Sequence, residues 1–352
     1  MTMAVSSPTK RRPTQGDVAR LAQVSQAAVS YVLNDSPGVV LTPETRQRVL
    51  EAATTLGYVP NRAARALRTS RTMTVACIIP DITNPYYPWL ERGVQDVAEA
   101  HGFGLVVYNT DGDAEKERRA LHSAREGRVD GLIMTPFHVN AETMADVTGA
   151  GVQVVLLAQA TTAWNAQGID TVSIDNVAAA RAAVNHLLDL GHSRVAMVAG
   201  ITGTPPRENR VLGYRKALAE HHIRPEEQLI RAGEFTERGG YEGTRELLRM
   251  RPLPTAIFAA NDLMAIGAMQ ALREAGLAIP DDIALVGFDN IAAASLVHPA
   301  LTTIDQFPQP LGRRAAEMLF ARLEGFETGP AIHNDAQFEL VVRESTRRQQ
   351  QA

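Results

Sequence analysis

Apolar positions follow two different patterns along the chain. In the first 60 residues they recur every three or four positions, a spacing typical of short amphipathic helices. From Thr72 onward, short and almost wholly apolar runs alternate with longer helical stretches, which is typical of parallel strands joined by helices. The patterns predict a small all-α region followed by a large α/β region, and 352 residues are enough for more than one hydrophobic core.

Three short helices are predicted at the N-terminal end. Thr14 and Asp17 have the spacing of a capping pair for the first helix, and Ser25 is placed to cap the second. Thr42, followed by a proline, begins a third helix that continues to Gly57. The positions predicted to be buried are Val18, Leu21 and Ala22 in the first helix, Ala28, Val29, Val32 and Leu33 in the second, and Val49, Leu50, Ala53 and Leu56 in the third. Two short helices joined by a turn and packed on a third predict a helix-turn-helix unit.

Charge is distributed unevenly between the two regions. Residues 1–71 contain ten lysine and arginine residues against four acidic ones, whereas residues 72–352 contain 25 basic and 35 acidic residues. A basic head on an acidic body is expected when only the head meets a polyanion such as DNA. The residues of the second helix that are predicted to lie towards its open face are Gln26, Ala27, Ser30 and Tyr31.

A short arginine-rich segment follows the third helix, with the sequence YVPNRAARALRTSRT. Leu67 is its only large apolar side chain beyond its start, so the segment by itself would form a marginal helix. One interpretation is an interdomain linker. The other is a hinge that becomes helical on DNA and inserts Leu67 between base steps in the minor groove.

The α/β region contains two successive series of strands and helices. The runs of the first series, each predicted as a buried parallel strand, are MTVACIIP, FGLVVYN, DGLIMTP and VQVVLLA; after GIDTVSIDN, those of the second are RVAMVAG, QLIRAG, TAIFAAN and IALVGFDN. The predicted helices include residues 87–101, 114–126, 177–190, 207–221, 238–250 and 263–275. Two doubly wound subdomains with a cleft between them are expected, and ligands of such sheets bind at the carboxyl ends of the strands.

The sequence lacks the signatures of several other protein classes. It contains no G-x-S-x-G, P-loop or H-E-x-x-H motif, so no catalytic residue, cofactor or metal site is predicted. Its single cysteine, Cys77, lies in an apolar run and is expected to be an inert core residue. No apolar run approaches the roughly 18 residues that would span a membrane, and the basic stretch KRRPTQGD leads into polar sequence, so a cytoplasmic protein is expected.

Ordered motifs occur from about residue 14 to residue 347. They are DVARLAQVSQAAVSYVLN, ETRQRVLEAATTLGYVPNRAARALRTSRT, IIPDITNPYYPWLERGV, LLDLGHSRVAMVAG, NRVLGYRKAL, AANDLMAIGAM, IPDDIALVGFDN and LTTIDQ. Together they resemble the lactose-repressor (LacI/GalR) family of bacterial transcription regulators. The resemblance implies a homodimer and an all-α helix-turn-helix head plus an α/β periplasmic-binding-protein-like core of two doubly wound subdomains, which takes a small effector.

The resemblance makes the second helix the recognition helix, with Gln26, Ala27 and Tyr31 directed at the major groove. The family usually has arginine where this chain has Tyr31, and arginine can grip guanine with two hydrogen bonds, whereas a phenol offers one hydroxyl. Gln23 replaces the usual glycine of the turn, and the loop VVLTPETR is longer than is common.

Hinge residues of the family are matched by Asn61, Ala64 and Leu67, which favours the hinge over the plain linker. The complete set of residues predicted to bind DNA, on a near-palindromic operator, is Thr14, Ser25, Gln26, Ala27, Ser30, Tyr31, Asn34, Asn61, Ala64 and Leu67.

Resemblance and residue type both place an effector pocket at strand ends in the cleft. The predicted effector-binding residues are Asn84, Tyr86, Tyr87, Asp175, Arg210, Asn261, Asp289 and Gln306. Carboxylates, amides and one arginine around an aromatic face suit a polyhydroxylated ring, so a sugar or nucleoside-like ligand is expected. Sugar-responsive relatives often have aspartate where this chain has Ala158, followed by Gln159, which removes one hydroxyl acceptor. Asp175 and Asp262 have an alternative interpretation as helix caps.

The predicted domains are a helix-turn-helix head at residues 1–60, a hinge helix at 61–71 and an effector-binding and dimerisation core at 72–352. Within the core, the predicted N-subdomain comprises about residues 72–170 and 302–330, and the predicted C-subdomain about residues 171–301 and 331–352.

We expect a DNA-binding transcriptional repressor whose affinity for DNA is controlled allosterically by a small effector. The alternatives are a transport-type binding protein and an enzyme, and a titration with duplex DNA distinguishes the three. The chain ends in VVRESTRRQQQA without leucine heptads, so a dimer is expected rather than a tetramer.

Overall fold

The computed structural model describes residues 11–33, 40–59 and 71–347. The chain forms two compact units, Met1–Thr72 and Met73–Ala352, which we call the head and the core. Four of the predicted DNA-binding residues lie outside the described ranges: Asn34, Asn61, Ala64 and Leu67. Their roles therefore stay predictions.

The described part of the head consists of three helices, as the sequence predicts. They are α1 Gln15–Ala22, α2 Gln26–Leu33 and α3 Pro43–Leu56. Thr14 and Asp17 form a reciprocal capping box on α1, in which the backbone nitrogen of Thr14 donates to Asp17 Oδ2 over 2.8 Å. Ser25 Oγ accepts a hydrogen bond of 3.1 Å from the backbone nitrogen of Ala28. The predicted caps are therefore confirmed.

The conformation of Gln23, in the turn between α1 and α2, explains why glycine suits this position. Gln23 ends α1 in the left-handed conformation, with φ 55° and ψ 47°. Glycine adopts this conformation without a steric penalty, whereas a residue with a Cβ atom does so at some cost. The helix-turn-helix geometry is retained here despite that cost.

The buried side chains of the head differ from the predicted ones at several positions. Its fully buried side chains are Val18, Val29 and Val49, all of them predicted. The prediction is wrong for Leu21 and Leu50, which are 50% and 42% exposed. The neighbouring alanines Ala19 and Ala52 are buried instead. Small side chains at these positions let the three helices approach closely, and the bulkier leucines lie outside the contact.

The first sheet of the core consists of β1 Thr74–Ile79, β2 Gly104–Asn109, β3 Gly131–Met134, β4 Gln153–Leu156, β5 Asp170–Ile174 and β11 His333–Ala336. The strands are parallel, in the order β11-β5-β4-β3-β1-β2. The helices of this half are α4 Tyr86–Ala100, α5 Ala114–Ser123, α6 Ala141–Gly149, α7 Thr162–Ala166 and α13 Pro308–Leu323. The inner strands are buried as predicted, but β2 is partly exposed because it forms an edge of the sheet.

The second sheet consists of β6 Val195–Ala199, β7 Ile230–Ala232, β8 Ala256–Ala259 and β9 Ala284–Val286, parallel and in the order β7-β6-β8-β9. Beside it, β10 Thr303–Asp305 pairs antiparallel with β12 Glu339–Val341. The helices of this half are α8 Asn176–Asp189, α9 Pro205–Glu220, α10 Glu237–Leu247, α11 Asp262–Glu274 and α12 Ala293–Leu296. All six helices predicted in the core are confirmed, with ends within three residues of the predicted ones.

Strand pairing moves the predicted boundaries between the two halves. β5 and β11 belong to the first sheet, although the predicted C-subdomain contains most of both. β10 is bridged to the second sheet between Asp289 and Asp305, although the predicted N-subdomain resumes at residue 302. We define the N-lobe as residues 73–174 and 306–336, and the C-lobe as residues 175–305 and 339–347. The runs of apolar residues do not specify which sheet a crossover strand joins.

Helices α4 and α13 cross closely because each has a glycine at the crossing. A Cβ atom on Gly93 would come within 2.1 Å of the carbonyl oxygen of Gln309, and one on Gly312 within 2.0 Å of a carbonyl oxygen of α4. Helix α4 begins at Tyr86, and Gln306 lies just before α13. This crossing therefore fixes the positions of two residues that the sequence assigns to the effector pocket.

We expect Gly93→Ala to lower the free energy of unfolding by about 1–3 kcal/mol, because the added methyl group forces α4 and α13 apart. Gly149→Ala is the matched control, since a Cβ atom there has no neighbour within 4 Å. Its effect should stay within about 0.5 kcal/mol. Urea unfolding followed by circular dichroism measures both variants, and a Gly93→Ala protein as stable as the wild type would contradict the close crossing.

Candidate functional site

A cavity of about 360 Å³ lies between the N-lobe and the C-lobe, at the carboxyl ends of strands of both sheets. The predicted effector residues that line it are Asn84, Tyr86, Tyr87, Arg210, Asn261, Asp289 and Gln306. Asp175 does not line it, which corrects the prediction. Its exposed carboxylate caps α8, with Oδ1 accepting from the backbone nitrogens of Val177 and Ala178 at 2.9 Å each. The following residue, Asn176, lines the cavity in its place.

Arg210 is a buried cation in the cavity wall. Its Nε donates to Asn176 Oδ1 at 3.0 Å, and a terminal nitrogen donates to the carbonyl oxygen of Ala260. The guanidinium lies over the ring of Phe288, 3.7 Å from its centroid. Burial lowers the pKa of Arg210, and Asp289 is the main group that opposes this shift. Arg210 nevertheless stays charged, because an arginine does not deprotonate in proteins.

Asp289 is a buried anion in the same wall. Gln306 Nε2 donates to its Oδ1 at 2.6 Å, and Asn84 gives a further hydrogen bond to the carboxylate. Burial raises the pKa of Asp289 to about 6, while Arg210, Gln306 and Asn84 lower it. Asn84 belongs to the N-lobe and Asp289 to the C-lobe, so this carboxylate links the two lobes.

Asp262 supports the cavity wall from behind. Its Oδ2 accepts from the backbone nitrogen of Ile291 at 2.9 Å, and its Oδ1 accepts from Thr303 Oγ1 at 2.6 Å. The cap of α11 is Asn261, so the interpretation of Asp262 as a helix cap is wrong. The buried carboxylate ties the segment after β9, which contains Asp289, to β10.

Aromatic rings from both lobes, together with aliphatic side chains, form the apolar part of the wall. Tyr86 and Tyr87 pack edge to face with their centroids 5.1 Å apart. Phe137 of the N-lobe and Phe235 of the C-lobe have centroids 6.3 Å apart. Both phenylalanines are missing from the predicted set. Phe235 follows the end of β7 much as Asn84 follows β1, so the same strand-end rule would have found it.

Buried polar contacts fix the two phenylalanines. The ring of Phe235 lies on Gly200, where a Cβ atom would come within 1.9 Å of it, and the carbonyl oxygen of Phe235 accepts from Asn261 Nδ2 at 2.9 Å. Phe137 is held from the other side by Glu117, whose buried carboxylate accepts from two successive backbone nitrogens at 2.9 Å each. Burial raises the pKa of Glu117, and those two hydrogen bonds partly offset the rise.

The cavity combines one cation, many oxygen acceptors and aromatic faces. Further carboxylates in its wall come from Asp81, Asp111 and Glu234. Its volume falls within the ~300–1,000 Å³ of small-molecule pockets. Such a wall suits a polyhydroxylated ring, because paired oxygens accept from neighbouring hydroxyls while an aromatic ring covers the apolar face. Across the described ranges, no three or more histidine, cysteine, aspartate and glutamate side chains come together as a metal site.

On the head, the open face of α2 exposes Gln26, Ala27 and Tyr31. Ser30 was predicted to lie on this face, but it is only 7% exposed. The reason is that α2 packs against both α1 and α3, so it buries a wider stripe than a helix with one neighbour. Ser30 is therefore not placed to contact a base.

A shallow groove lies beside the starts of α1 and α2. Thr14, Arg20, Ser25 and Gln26 are among the residues that line it, together with Arg11. The side chains of Thr14 and Ser25 act as helix caps, and the guanidinium of Arg20 reaches the solvent. Backbone N–H groups at helix starts, next to exposed arginines, are suited to phosphate groups.

Both units match known protein families. Residues 14–61 match the model described as "Bacterial regulatory proteins, lacI family", and residues 184–346 match "Periplasmic binding protein-like domain". The chain is 37% identical over 304 residues to catabolite control protein A of Priestia megaterium, with 86% of this chain and 90% of that protein covered.

Two solved structures are similar over nearly the whole chain. One is a complex of the transcriptional regulator CelR with cellobiose, at 32% identity and a TM-score of 0.70, covering 95% of this chain and 100% of that one. The other is the lac repressor dimer bound to operator and the anti-inducer ONPF, at 28% identity and a TM-score of 0.83, covering 96% and 99%.

A helix-turn-helix head followed by a two-lobed periplasmic-binding-protein-like core defines a ligand-responsive transcriptional regulator. This chain belongs to the lacI family of bacterial regulatory proteins. The predicted family and fold class are confirmed. Over the described residues, the structure contains no helix with the length and apolar character needed to cross a membrane.

We expect Asp289→Asn to change how stability depends on pH. The folded pKa of about 6 lies above the value of about 3.9 for an exposed aspartate, so the folded state binds this proton more tightly than the unfolded state. The stability gained from that proton is complete below the unfolded pKa and is lost as the pH rises through the folded one.

The unfolding free energy of Asp289→Asn, relative to wild type, should therefore rise by about 2–4 kcal/mol between about pH 4 and pH 7. Urea unfolding at closely spaced pH values measures the difference. A difference that stays constant over this range would contradict a buried, destabilised carboxylate.

Proposed function

We propose that this protein is a sequence-specific transcriptional repressor whose affinity for operator DNA is set by a small effector in the cavity of the core. The observation that carries the proposal is that Arg210 and Asp289 are both buried in the wall of one cavity between the two lobes. The protein acts in the cytoplasm, as a homodimer and without catalytic activity. The similar lac repressor structure, a dimer bound to operator, supports the dimer, and two heads related by symmetry favour a near-palindromic operator.

Operator sequence is read by the exposed face of α2. Gln26, Ala27 and Tyr31 contact base edges, because they are exposed on the second helix of the helix-turn-helix. Thr14 and Ser25 lie at helix starts, where neighbouring backbone N–H groups meet phosphates and set the register of the head. The hinge residues Asn61, Ala64 and Leu67 complete the DNA contacts, with the leucine as a minor-groove wedge.

The effector is a polyhydroxylated ring, with a sugar as the first choice. Arg210 supplies a rigid fork of donors and Asp289 supplies two acceptors, so the pair can orient neighbouring hydroxyl groups. The related CelR structure with cellobiose supports a sugar. A nucleoside-like ligand is the alternative, which the facing rings of Phe137 and Phe235 favour because a flat base stacks on aromatic faces.

Control follows from linkage between the two sites. An effector that binds one pose of the lobes more tightly than another shifts the population towards that pose and so changes the spacing of the two heads in the dimer. Coupling of this kind is typically about 1–3 kcal/mol and reciprocal, so operator changes effector affinity by the same factor. A thermal-shift screen of sugars and nucleosides identifies the ligand, since one at 100 times its dissociation constant adds about 2.7 kcal/mol to the native state.

Tyr31→Arg is expected to change the preferred operator sequence more than it changes non-specific affinity. An arginine at this position grips guanine with two hydrogen bonds, whereas phosphate contacts elsewhere are unchanged. Gln47→Arg is the control, because it adds the same charge to the exposed surface of α3. Selection of bound duplexes from a random pool should give a new consensus for Tyr31→Arg alone. An identical consensus for all three proteins would remove Tyr31 from the recognition surface.

Arg210→Ala is expected to keep operator binding but to abolish the effect of the ligand on it. Removing the guanidinium of Arg210 takes away the hydrogen-bond donors that orient the ligand, whereas the head is unchanged. The control is Arg215→Ala, which removes an exposed arginine of the same helix that pairs with Glu227. Calorimetry with the screened ligand and fluorescence polarisation with operator measure the two affinities. Wild-type ligand affinity in Arg210→Ala would place the pocket elsewhere.

A further inference from the structure

Besides Gln306, which donates to Asp289 in the cavity wall, a second glutamine bridges the two lobes. Gln159 follows β4 of the N-lobe. Its Oε1 accepts from Asn209 Nδ2 at 2.7 Å, and its Nε2 donates to Asp175 Oδ1 at 3.2 Å. Asn209 lies on α9 and Asp175 caps α8, so both partners belong to the C-lobe.

The bridge lies outside the cavity wall. Neither Gln159 nor its two partners is among the lining residues, whereas the cross-lobe contacts described above, of Asn84 and Gln306 with Asp289 and between the two phenylalanines, involve residues that do line it. A ligand therefore meets those contacts directly, but it leaves the glutamine bridge in place. The partner Asn209 immediately precedes Arg210 on the same helix.

The chemistry of the bridge requires an amide at position 159. The side-chain amide of glutamine has an acceptor oxygen on one side and a donor NH2 group on the other. The oxygen meets the NH2 group of Asn209, and the NH2 group meets the carboxylate of Asp175. A carboxylate at position 159 would still accept from Asn209, but its second oxygen would face Asp175 and repel it. Whether the group that faces Asp175 is a neutral amide or a carboxylate thus decides whether this contact holds the lobes together or repels them.

We propose that Gln159 is a latch that holds the two lobes in the pose of this structure and so sets effector affinity from outside the cavity. Gln159 acts as a positioning residue, since it touches the C-lobe and not the ligand. The effect on affinity rests on the proposed function, because an effector that binds this pose pays less to select it when the latch already keeps it populated. The latch itself is a property of the ligand-free protein.

The latch is tested by measuring how often the cleft opens in the absence of any ligand. Ser173→Cys places a thiol in the cavity wall by exchanging one atom, and its rate of reaction with a disulfide reagent reports how often the cleft opens. The native Cys77 gives no background, because it is fully buried and burial raises the pKa of its thiol. Ile201→Cys, in the C-lobe wall, is a second probe if the first variant folds poorly.

Three further changes are made in the Ser173→Cys protein. Gln159→Glu should raise the labelling rate about fivefold, because it replaces a hydrogen bond by repulsion. Adding Asp175→Asn should restore the slow rate, since asparagine caps α8 as well as aspartate does and its amide can donate to the new carboxylate. Gln167→Glu adds the same charge to an exposed position and should leave the rate unchanged. An unchanged rate in Gln159→Glu, or a fast rate that Asp175→Asn does not reverse, would overturn the latch.

Calorimetry with cellobiose as the probe separates this inference from the proposed function. If the wild type binds cellobiose, Gln159→Glu should weaken binding about fivefold and the double variant should recover it, in parallel with the labelling rates. If the wild type does not bind cellobiose, this sugar is not the effector, while the labelling rates still decide the latch. Altered labelling without altered affinity would overturn the link between latch and effector.

Discussion

A buried guanidinium needs hydrogen-bond acceptors and a negative charge nearby, and the core is organised around this requirement at Arg210. Asn176 and the carbonyl oxygen of Ala260 accept its hydrogen bonds, and Phe288 covers one face. Asp289 supplies the compensating charge at a cost that shows in its raised pKa. Buried charges are costly unless hydrogen bonds and an opposite charge nearby compensate them, so both groups are held by hydrogen bonds from the surrounding wall.

A second layer of polar contacts keeps the anion in position. Asp262, fully buried, joins the segment after β9 to β10, and Gln306 reaches Asp289 from the start of α13. Burial raises the pKa of Asp262, and the neighbouring charge of Asp289 raises it further. The close crossing of α4 and α13 then sets where the tyrosines at the start of α4 meet this wall. Binding groups from distant parts of the chain are thus brought to one edge by sheet topology and held there by buried hydrogen bonds.

The contacts between the lobes differ in strength and in access to a ligand. Asn84 shares Asp289 with Gln306, and the phenylalanine rings meet across the cavity, so an effector competes with or adds to these contacts. Gln159 joins the lobes through hydrogen bonds to two residues that, like Gln159 itself, do not line the cavity. A ligand that changes the contacts at the cavity can therefore shift the pose of the lobes, but it does so against the bridge of Gln159.

Local pattern by itself determined the helices, the strands and the caps. Thr14 with Asp17, Ser25 and the predicted core helices follow from side chains within a few positions of each other, whose preferences do not depend on the rest of the chain. Strand-end positions also brought seven of the eight predicted effector residues to one cavity, because parallel strands present their carboxyl ends at one edge.

Only the tertiary structure decided the rest. The chain pattern cannot show that β5 and β11 join the first sheet, that Ser30 is covered by two helices, or that Asn176 and not Asp175 lines the cavity. The same holds for Phe137, which a buried carboxylate twenty residues away holds in the wall. In each case the outcome depends on which distant segment packs alongside, and a one-residue change in register turns a side chain from the cavity to the solvent.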